Sequence, residues 1–365
     1  MKPEIIFVVP VLEPAGTECI VAALARGLPR HGFNASVICL EDERAPVGAA
    51  LLAAGIQVHG LRLSRRRSMA CAKALRERLP ASRPLIVHAH LFHANIAARL
   101  AFSGMTSSAR QGMHVLGTVH VAERRFRPWQ FALDRWTARY ARMEICVSRA
   151  VTRFHQQHTG LPPDFFRVIE NGIDLERFLP RAGPLAGNPV VLSVGRLDPQ
   201  KDYPTLLRAW KIVIATFPDA TLAIAGSGPE SERLKLECEA LQLGKHVKFL
   251  GFVHDIPALM ATAAVYVQPS AWEGFGLAVA EAMACALPVI VSDADSLPEV
   301  VTHERTGLVV PKGEAGLLAA AIVTLLSDSA RARVLGQAAH AEAIKRFSVE
   351  RMLADYAGLY RELLK

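Results

Sequence analysis

The feature that most constrains this chain is an alternation. Short apolar runs recur along its 365 residues, each closed by a turn and followed by a stretch of helical periodicity. The runs at 5–9, 35–40, 57–61, 85–90, 115–120, 144–148 and 167–173 are predicted strands, with helices between them, among them 17–29 and one from about 95. A second series begins at 190–194 and continues at 221–225, 246–249, 264–267, 288–291 and 307–310. The tail from 329 to 365 reads as helical. Repeated strand–helix units of this kind build parallel, doubly wound sheets that hold ligands at the carboxyl ends of their strands. The expected fold class is therefore α/β, with two Rossmann-like halves in one chain.

A chain of this length exceeds what one core usually holds. The segment 179–189 carries three prolines and two glycines between two apolar runs, and reads as an interdomain linker. The expected division is 1–180, 181–345 and a last helix, 346–365. Charge divides similarly. Residues 1–180 hold 24 Lys and Arg against 14 Asp and Glu, whereas 181–365 hold 18 against 20, so the net +8 lies wholly in the first part. That asymmetry points to an anionic partner for the first half: a membrane surface, a phospholipid-linked acceptor or an acidic glycan. Charge alone also admits nucleic acid, and a solvated arginine-rich surface is the plain alternative. The six cysteines are scattered without a Cys-x-x-Cys pair and read as buried free thiols of a reducing compartment. The run 5–9 is too short for a signal peptide, and no apolar run reaches the roughly 18–20 residues that span a bilayer. A cytoplasmic protein is expected, with attachment to the inner face of the plasma membrane as the membrane reading of the basic half.

One stretch concentrates the chemistry. Glu273 and Glu281 stand eight positions apart, with Gly274-Phe275-Gly276 between them, a strand before and a helical run from Leu277 after. A strand–turn–helix of this kind aims backbone N–H groups and the positive end of a helix dipole at one spot, which favours a phosphate. The glutamates suit hydroxyl groups rather than phosphate. Spacing alone leaves open an ordinary turn with two solvated glutamates, or an acid/base pair. Upstream, the strand 190–194 runs into Gly195-Arg196-Leu197-Asp198-Pro199-Gln200-Lys201. Two cations just past a strand end are placed to grip a diphosphate, Arg by paired hydrogen bonds and Lys as a point charge. Gly226-Ser227-Gly228-Pro229 is a further tight turn after a strand, and Gly16-Thr17 lies between the first strand and first helix, where a ligand can approach the backbone.

Together these motifs resemble glycosyltransferase family 4, the retaining enzymes of the GT-B fold. The resemblance runs almost end to end. It rests on Gly16, Val87-His88-Ala89-His90, Thr118-Val119-His120, Asn171-Gly172-Ile173-Asp174, Arg196…Lys201, Gly226-Ser227-Gly228-Pro229, Glu273…Glu281, Pro298-Glu299-Val300 and Thr306-Gly307-Leu308. It implies two domains facing a central cleft, an acceptor on the first, a nucleotide sugar on the second, and a last helix crossing back to the first. Arg196 and Lys201 would neutralise the leaving diphosphate without a metal or other cofactor. Backbone at Gly16, Thr17, Gly228, Gly274, Phe275, Gly276 and Leu277 would add to the donor site. Glu273 would hold donor-sugar hydroxyls, Glu281 the ribose diol, and His120 would orient the sugar, which makes His120, Arg196, Lys201 and Glu273 the expected catalytic set. No enzymic nucleophile is implied. The partners would be a nucleotide sugar and a glycan or lipid-linked acceptor of polysaccharide or glycolipid synthesis, with no nucleic acid. The alternatives are a sugar-nucleotide epimerase of the same fold and a non-catalytic glycan- or nucleotide-binding relative.

Ala15, Ala286 and the segment 292–298 depart from the family pattern by lacking glycines, and none removes a charged residue. His88, His90 and His93 are closely spaced, and the family uses similar histidines without metal, so His90 and His93 are read as facing the acceptor and no metal site is expected. Two basic stretches remain: Arg62, Arg65, Arg66 and Arg67, and the run from Arg124 to Arg142. In the latter, Trp129, Leu133, Trp136, Tyr140 and Met143 fall on one helical stripe. That stripe is either core-facing beneath snorkelling arginines or a membrane contact.

Overall fold

The computed structural model describes residues 2–80, 84–181 and 187–365. They form two compact units, Met1–Gly172 with Val349–Lys365, and Ile173–Ser348. Each unit is built on one parallel sheet. The first contains β1 (Glu4–Val9), β2 (Asn34–Cys39), β3 (Gln57–Gly60), β4 (Leu85–His90), β5 (Met113–Val119), β6 (Met143–Cys146) and β7 (Phe166–Val168), in the order β3-β2-β1-β4-β5-β6-β7. The second contains β8 (Val190–Val194), β9 (Thr221–Ala225), β10 (Val247–Gly251), β11 (Val265–Gln268), β12 (Val289–Ser292) and β13 (Leu308–Val310), in the order β10-β9-β8-β11-β12-β13. Both sheets are wound outward from a central strand in two directions. The reversal lies between β1 and β4 in one unit and between β8 and β11 in the other, and a crevice opens at such a point beyond the carboxyl ends of the strands.

The central strands are buried and largely apolar because helices cover both faces. Ile5 to Val9 are at most 2% exposed. Val8 stands opposite Ile38 on one side and Ala89 on the other. In the second unit Val191 stands between Leu222 and Val265. Trp210, Tyr203 and Leu206 of the helix Tyr203–Thr216 belong to the same buried cluster.

Several elements differ from the sequence reading. The strand read at 115–120 ends at Val119, so His120 leaves the ladder. The run 167–173 is a strand only as far as Val168, because the carbonyls of Glu170 and Asn171 accept instead from Arg351, at 2.8 and 3.3 Å. The first helix is Gly16–Gly27, followed by a 3-10 turn, Leu28–His31, where Pro29 removes a helical N–H. The helical tail is broken at Phe347-Ser348 into Ser329–Arg346 and Val349–Leu363, and the second piece belongs to the first unit. Part of the predicted linker, 182–186, lies outside the described residues. Cys19, expected among the buried thiols, is exposed, whereas the other five are buried. The stripe drawn through 129–143 does not exist as one helical face. The helix is Pro128–Ala138, and Met143 opens β6. Trp129 and Trp136 point outward, 58% and 49% exposed, which overturns the core-facing reading.

That helix instead buries a charge network that the sequence reading missed. Arg99, on the helix Phe92–Ser103, donates to Asp134 at 2.5 Å and to Glu144 of β6. His155 Nε2 lies 2.6 Å from Asp134 and 3.3 Å from Glu144. All four are essentially excluded from solvent. Burial raises the Glu144 pKa, with Asp134 adding to it. Burial would lower that of His155, but Glu144 and Asp134 outweigh it and hold the ring more basic than usual. Asp134, Glu144 and His155 cluster as metal ligands do, but Arg99 fills the place a cation would take. Removing one partner of a buried network strands the others. Arg99→Met is expected to lower unfolding free energy by about 3–5 kcal/mol in urea denaturation, and an Arg99→Met protein as stable as the parent would refute this account.

Candidate functional site

In the second unit, the residues singled out by sequence converge at the carboxyl end of β8 and β11. The turn after β8 is shaped by Asp198, whose carboxylate accepts from Gln200 N at 3.0 Å, and by Asp202, which takes a left-handed conformation (φ 46°) before the helix Tyr203–Thr216. This geometry brings Lys201 Nζ to 2.6 Å from Glu273 Oε2, and Gln200 Nε2 to 3.3 Å from Oε1. Ser270 Oγ donates to Oε2 at 3.1 Å and Gly274 N to Oε1 at 3.3 Å. A carboxylate has about four lone-pair sites, and here each oxygen accepts two donors. Glu273 is 8% exposed. Behind it runs a buried polar ladder. Tyr266 donates to Gln268 at 2.7 Å, Gln268 to Ser270 at 2.8 Å, and Ser292 Oγ to the Ser270 carbonyl at 2.6 Å. Glu273 N donates to Asp295 at 3.3 Å. Gln200, Ser270 and Asp295 were not distinguishable in sequence from ordinary loop polar residues.

Arg196 is exposed and has no ion-pair partner among the described residues. The glycine turns have packing reasons. A Cβ on Gly226 would stand 2.0 Å from the Gly195 carbonyl, and one on Gly228 would stand 2.2 Å from the Leu197 carbonyl. The two turns are sewn together by Leu197 N to Ser227 O at 3.0 Å and Glu230 N to Leu197 O at 3.0 Å. Gly228 thus fixes the path of the chain between Arg196 and Lys201. Gly276 caps the helix Leu277–Ala284 at φ 94°, a conformation side chains rarely adopt. Phe275 is buried and packs edge-on against Phe347 at 5.4 Å, so only its backbone is left for a ligand. Glu281 is half-buried in that helix. Burial pushes its carboxyl up to about 7, against the pull of Arg177.

In the first unit, Gly16 opens the helix Gly16–Gly27 and is exposed, with Thr17 half-buried beside it. The N–H groups of this first turn have no acceptor within the helix. At the end of β4, His90 stands opposite Thr118 in the ladder. His90 is fully buried, and its Nδ1 lies 2.9 Å from His120 Nε2. Direct acceptor contact through His90 would have to pass through His120, which is half-buried. His88 spends both ring nitrogens, on Tyr360 OH at 2.6 Å and Thr118 Oγ1 at 2.7 Å. Burial first, and then neighbouring histidine charge, holds His88 at about 3. Burial alone does the same to His120, at about 3. Between His90 and the helix Phe92–Ser103, Leu91 sits at φ 69° and ψ 157°, a strained conformation for a side-chain-bearing residue. His93 is half-buried against Phe92. Its pKa is lowered by burial and by Arg65 and Arg66.

A cavity of about 350 Å³ in the first unit is lined by Glu123, Arg124, Phe126, Phe131, Phe154 and His158 among others. Arg124 lies over the Phe154 ring at 5.4 Å. Among the described residues, no single helix is long and apolar enough to cross a membrane.

Comparisons with known proteins agree with this geometry. Residues 14–177 match the model of Glycosyltransferase Family 4, and residues 177–342 that of Glycosyl transferases group 1. The chain is 29% identical over 316 residues to alpha-maltose-1-phosphate synthase of Mycolicibacterium smegmatis, covering 76% of this chain and 79% of that one. It is 39% identical over 188 residues to a phosphatidyl-myo-inositol mannosyltransferase of Mycobacterium leprae, about half of each protein (49% and 49%). Among solved structures it superposes on Anabaena HepE in complex with UDP and glucose with a TM-score of 0.86 at 25% identity, covering 98% of this chain and 99% of that one. The two sheets are thus those of a GT-B protein.

The ion pair beneath the Gly274–Gly276 turn makes a prediction independent of any ligand. Lys201→Met leaves an almost buried carboxylate without its cation and is expected to cost about 1.5–3 kcal/mol of stability. Adding Glu273→Gln should recover part of that loss in a double-mutant cycle. Strict additivity of the two substitutions in denaturant titrations would show that the pair does not couple.

Proposed function

Because the chain belongs to glycosyltransferase family 4, we propose that it is a retaining, metal-independent transferase that moves a sugar from a nucleoside-diphosphate sugar to a glycan or lipid-linked acceptor. The observation that carries this reading is the Lys201–Glu273 pair at 2.6 Å, set against the Gly276-capped helix and beside the exposed Arg196. In the reading, the donor diphosphate lies against Arg196 and the N-terminal end of the helix Leu277–Ala284. Lys201 turns part of its charge from Glu273 to the phosphate oxygens. Negative charge grows on that leaving group as the glycosidic bond breaks, and fixed cations and N–H groups stabilise it more than they do the ground state. Two cations already supply what a divalent metal would, so chelators should leave turnover intact. Glu273, relieved of part of its ion pair, accepts from sugar hydroxyls, and Glu281 accepts from the ribose diol. The family resemblance assigns His120 to the sugar, and the first-turn N–H groups of Gly16 and Thr17 to the donor. Gly228 contributes by holding the Arg196 turn in place.

The acceptor belongs to the basic unit. The phosphatidyl-myo-inositol substrate in the name of one relative supports a lipid-borne acceptor. So do the exposed Trp129 and Trp136, the arginines around them and the aromatic-lined cavity nearby. Tryptophans suit the interfacial region of a bilayer, and arginines suit its anionic headgroups. The protein is accordingly read as attached peripherally to an anionic membrane surface.

Four experiments test this reading. A thermal-shift screen of UDP-, GDP- and ADP-sugars should single out one donor by mass-action stabilisation. With that donor, Arg196→Ala and Lys201→Ala should each lower kcat by roughly 10²–10³-fold, measured by nucleotide release in the presence of EDTA. Unchanged kcat in both variants would remove the proposed donor site. A pH dependence follows from Glu281. The ribose diol needs the ionised carboxylate, and that carboxyl titrates at about 7. Nucleotide affinity should therefore tighten as pH rises from 6 to 8 and lose that slope in Glu281→Gln, as read by calorimetry with the free nucleotide. Finally, co-sedimentation with vesicles of anionic phospholipid should exceed that with neutral vesicles and fall in the Trp129→Ala/Trp136→Ala variant. Equal sedimentation of parent and variant would place any membrane contact elsewhere.

A further inference from the structure

Two histidines share one hydrogen bond in the first unit, and the donor and acceptor in it are not interchangeable. His90 Nδ1 lies 2.9 Å from His120 Nε2. Both rings are held neutral by burial, so one N–H must point from one ring to the lone pair of the other. The remaining nitrogen of His90, Nε2, is buried and has no partner among the described residues. Its surroundings are rings: Phe7 at 5.7 Å and His88 at 4.4 Å, centroid to centroid. His88 cannot serve it, since both His88 nitrogens are spent on Tyr360 and Thr118.

There are two ways to place the protons. If His90 carries its proton on Nε2, a donor is orphaned in an apolar pocket, and orphaned buried N–H groups are the rarer and costlier defect. If it carries the proton on Nδ1, the buried nitrogen is a bare lone pair and the N–H is used on His120. We infer that His90 is the Nδ1–H tautomer and donates to His120 Nε2, which obliges His120 to carry its own proton on Nδ1. His120 then presents a neutral N–H donor, not a lone pair, on its free side. It donates to an oxygen of the bound substrate, and it is not the base that takes a proton from an acceptor hydroxyl. His90 is a positioning residue that sets this polarity. It is itself anchored: the carbonyl of Thr118, its ladder partner, accepts from the strained Leu91 at 3.2 Å.

The tautomer assignment stands on the geometry above, and its catalytic consequence rests on the reading that His120 faces the donor sugar. The two are tested separately. In the ¹⁵N-histidine-labelled full-length protein, long-range ¹H–¹⁵N spectra distinguish the tautomers, with signals assigned from His90→Asn and His120→Asn. Both rings should appear as Nδ1–H and stay neutral between pH 6 and 8. His120 as the Nε2–H tautomer overturns the inference.

Kinetics test the consequence, using nucleotide release from UDP-glucose or GDP-mannose, whichever gives turnover. His90→Ala should lower kcat roughly tenfold, the worth of one hydrogen bond, with the donor KM changed less than threefold. His90→Asn, whose amide N–H can replace Nδ1–H, should recover most of the loss. His90→Asp accepts rather than donates, so it reverses the polarity and should not recover it. In a His120→Ala background, His90→Ala should cost nothing further. An equal loss in both backgrounds would mean that His90 acts on the fold and not through His120. Unchanged kcat in His120→Ala would overturn the donor-site reading of that residue and the catalytic consequence with it, while the spectrum judges the tautomer by itself.

Discussion

The second unit depends on one ion pair. Lys201 and Glu273 come from turns after different strands, β8 and β11, on the two sides of the point where the sheet reverses. A Lys and a Glu at 2.6 Å, each less than a fifth exposed, fix those two turns against one another in a way that apolar contact between loops does not. Everything beneath the pair serves to keep it satisfied. Gln200 and the Gly274 N–H complete the Oε1 side, Ser270 completes the Oε2 side, and the Tyr266–Gln268–Ser270 ladder orients the serine. A half-satisfied buried network is worse than none, which is why the polar residues form an unbroken line from the strand to the carboxylate. The arrangement also explains how a site can be both rigid and responsive. In the proposed reading the pair holds while no anion is present, and an arriving diphosphate competes with Glu273 for the same ammonium.

The first unit solves a similar problem with different groups. Its core holds Arg99, Asp134, Glu144 and His155, joined into one network among four elements of the same unit. Two carboxylates face one guanidinium here, and the two acidic groups draw a proton toward His155. That balance is the physical cause of the raised basicity of His155. The histidines at the end of β4 and β5 face the opposite demand. They have no carboxylate partner, so burial keeps them neutral, and the same residue type is pushed toward the charged form in one place and toward the neutral form a few strands away.

Much of this was legible in the sequence, and what was not has a common reason. The strands at 85–90, 190–194 and 221–225 were placed to the residue, because buried parallel strands are continuous apolar runs bounded by turns. Arg196, Lys201 and Glu273 stood out because each lies in a turn just past a strand end, and Glu281 because of its spacing from Glu273 across the Gly274-Phe275-Gly276 turn. Edge elements were read less well. β7 shrank to three residues because the backbone of 170 and 171 found a better donor in Arg351, some 180 positions away. Arg99 was passed over although a lone arginine in the run 96–101 was a signal: a charge on an apolar helix face demands a partner. Its partners lie 35 and 45 residues further on, and no local pattern connects them. The helix Pro128–Ala138 misled for a related reason. Its buried face is set by Phe131, Asp134, Thr137 and Ala138, three of them small or polar, so the larger aromatics drew the eye to the wrong side.

The same logic bears on what a glycine signifies at a site. Gly228 and Gly276 sit in motifs associated with ligand approach, and each is also required by the protein itself. A side chain on the first would collide with the Leu197 carbonyl, and the second holds a left-handed backbone against Leu297. A turn that must be glycine for internal reasons delivers its backbone N–H groups to a fixed position, and a fixed donor costs no reorganisation when charge develops opposite it. Structural necessity and ligand binding are therefore not competing explanations of these residues. The packing of Gly226 and Gly228 onto Gly195 and Leu197 sets the path of the chain that carries Arg196, and in the proposed reading that fixed backbone aims the cation at the diphosphate.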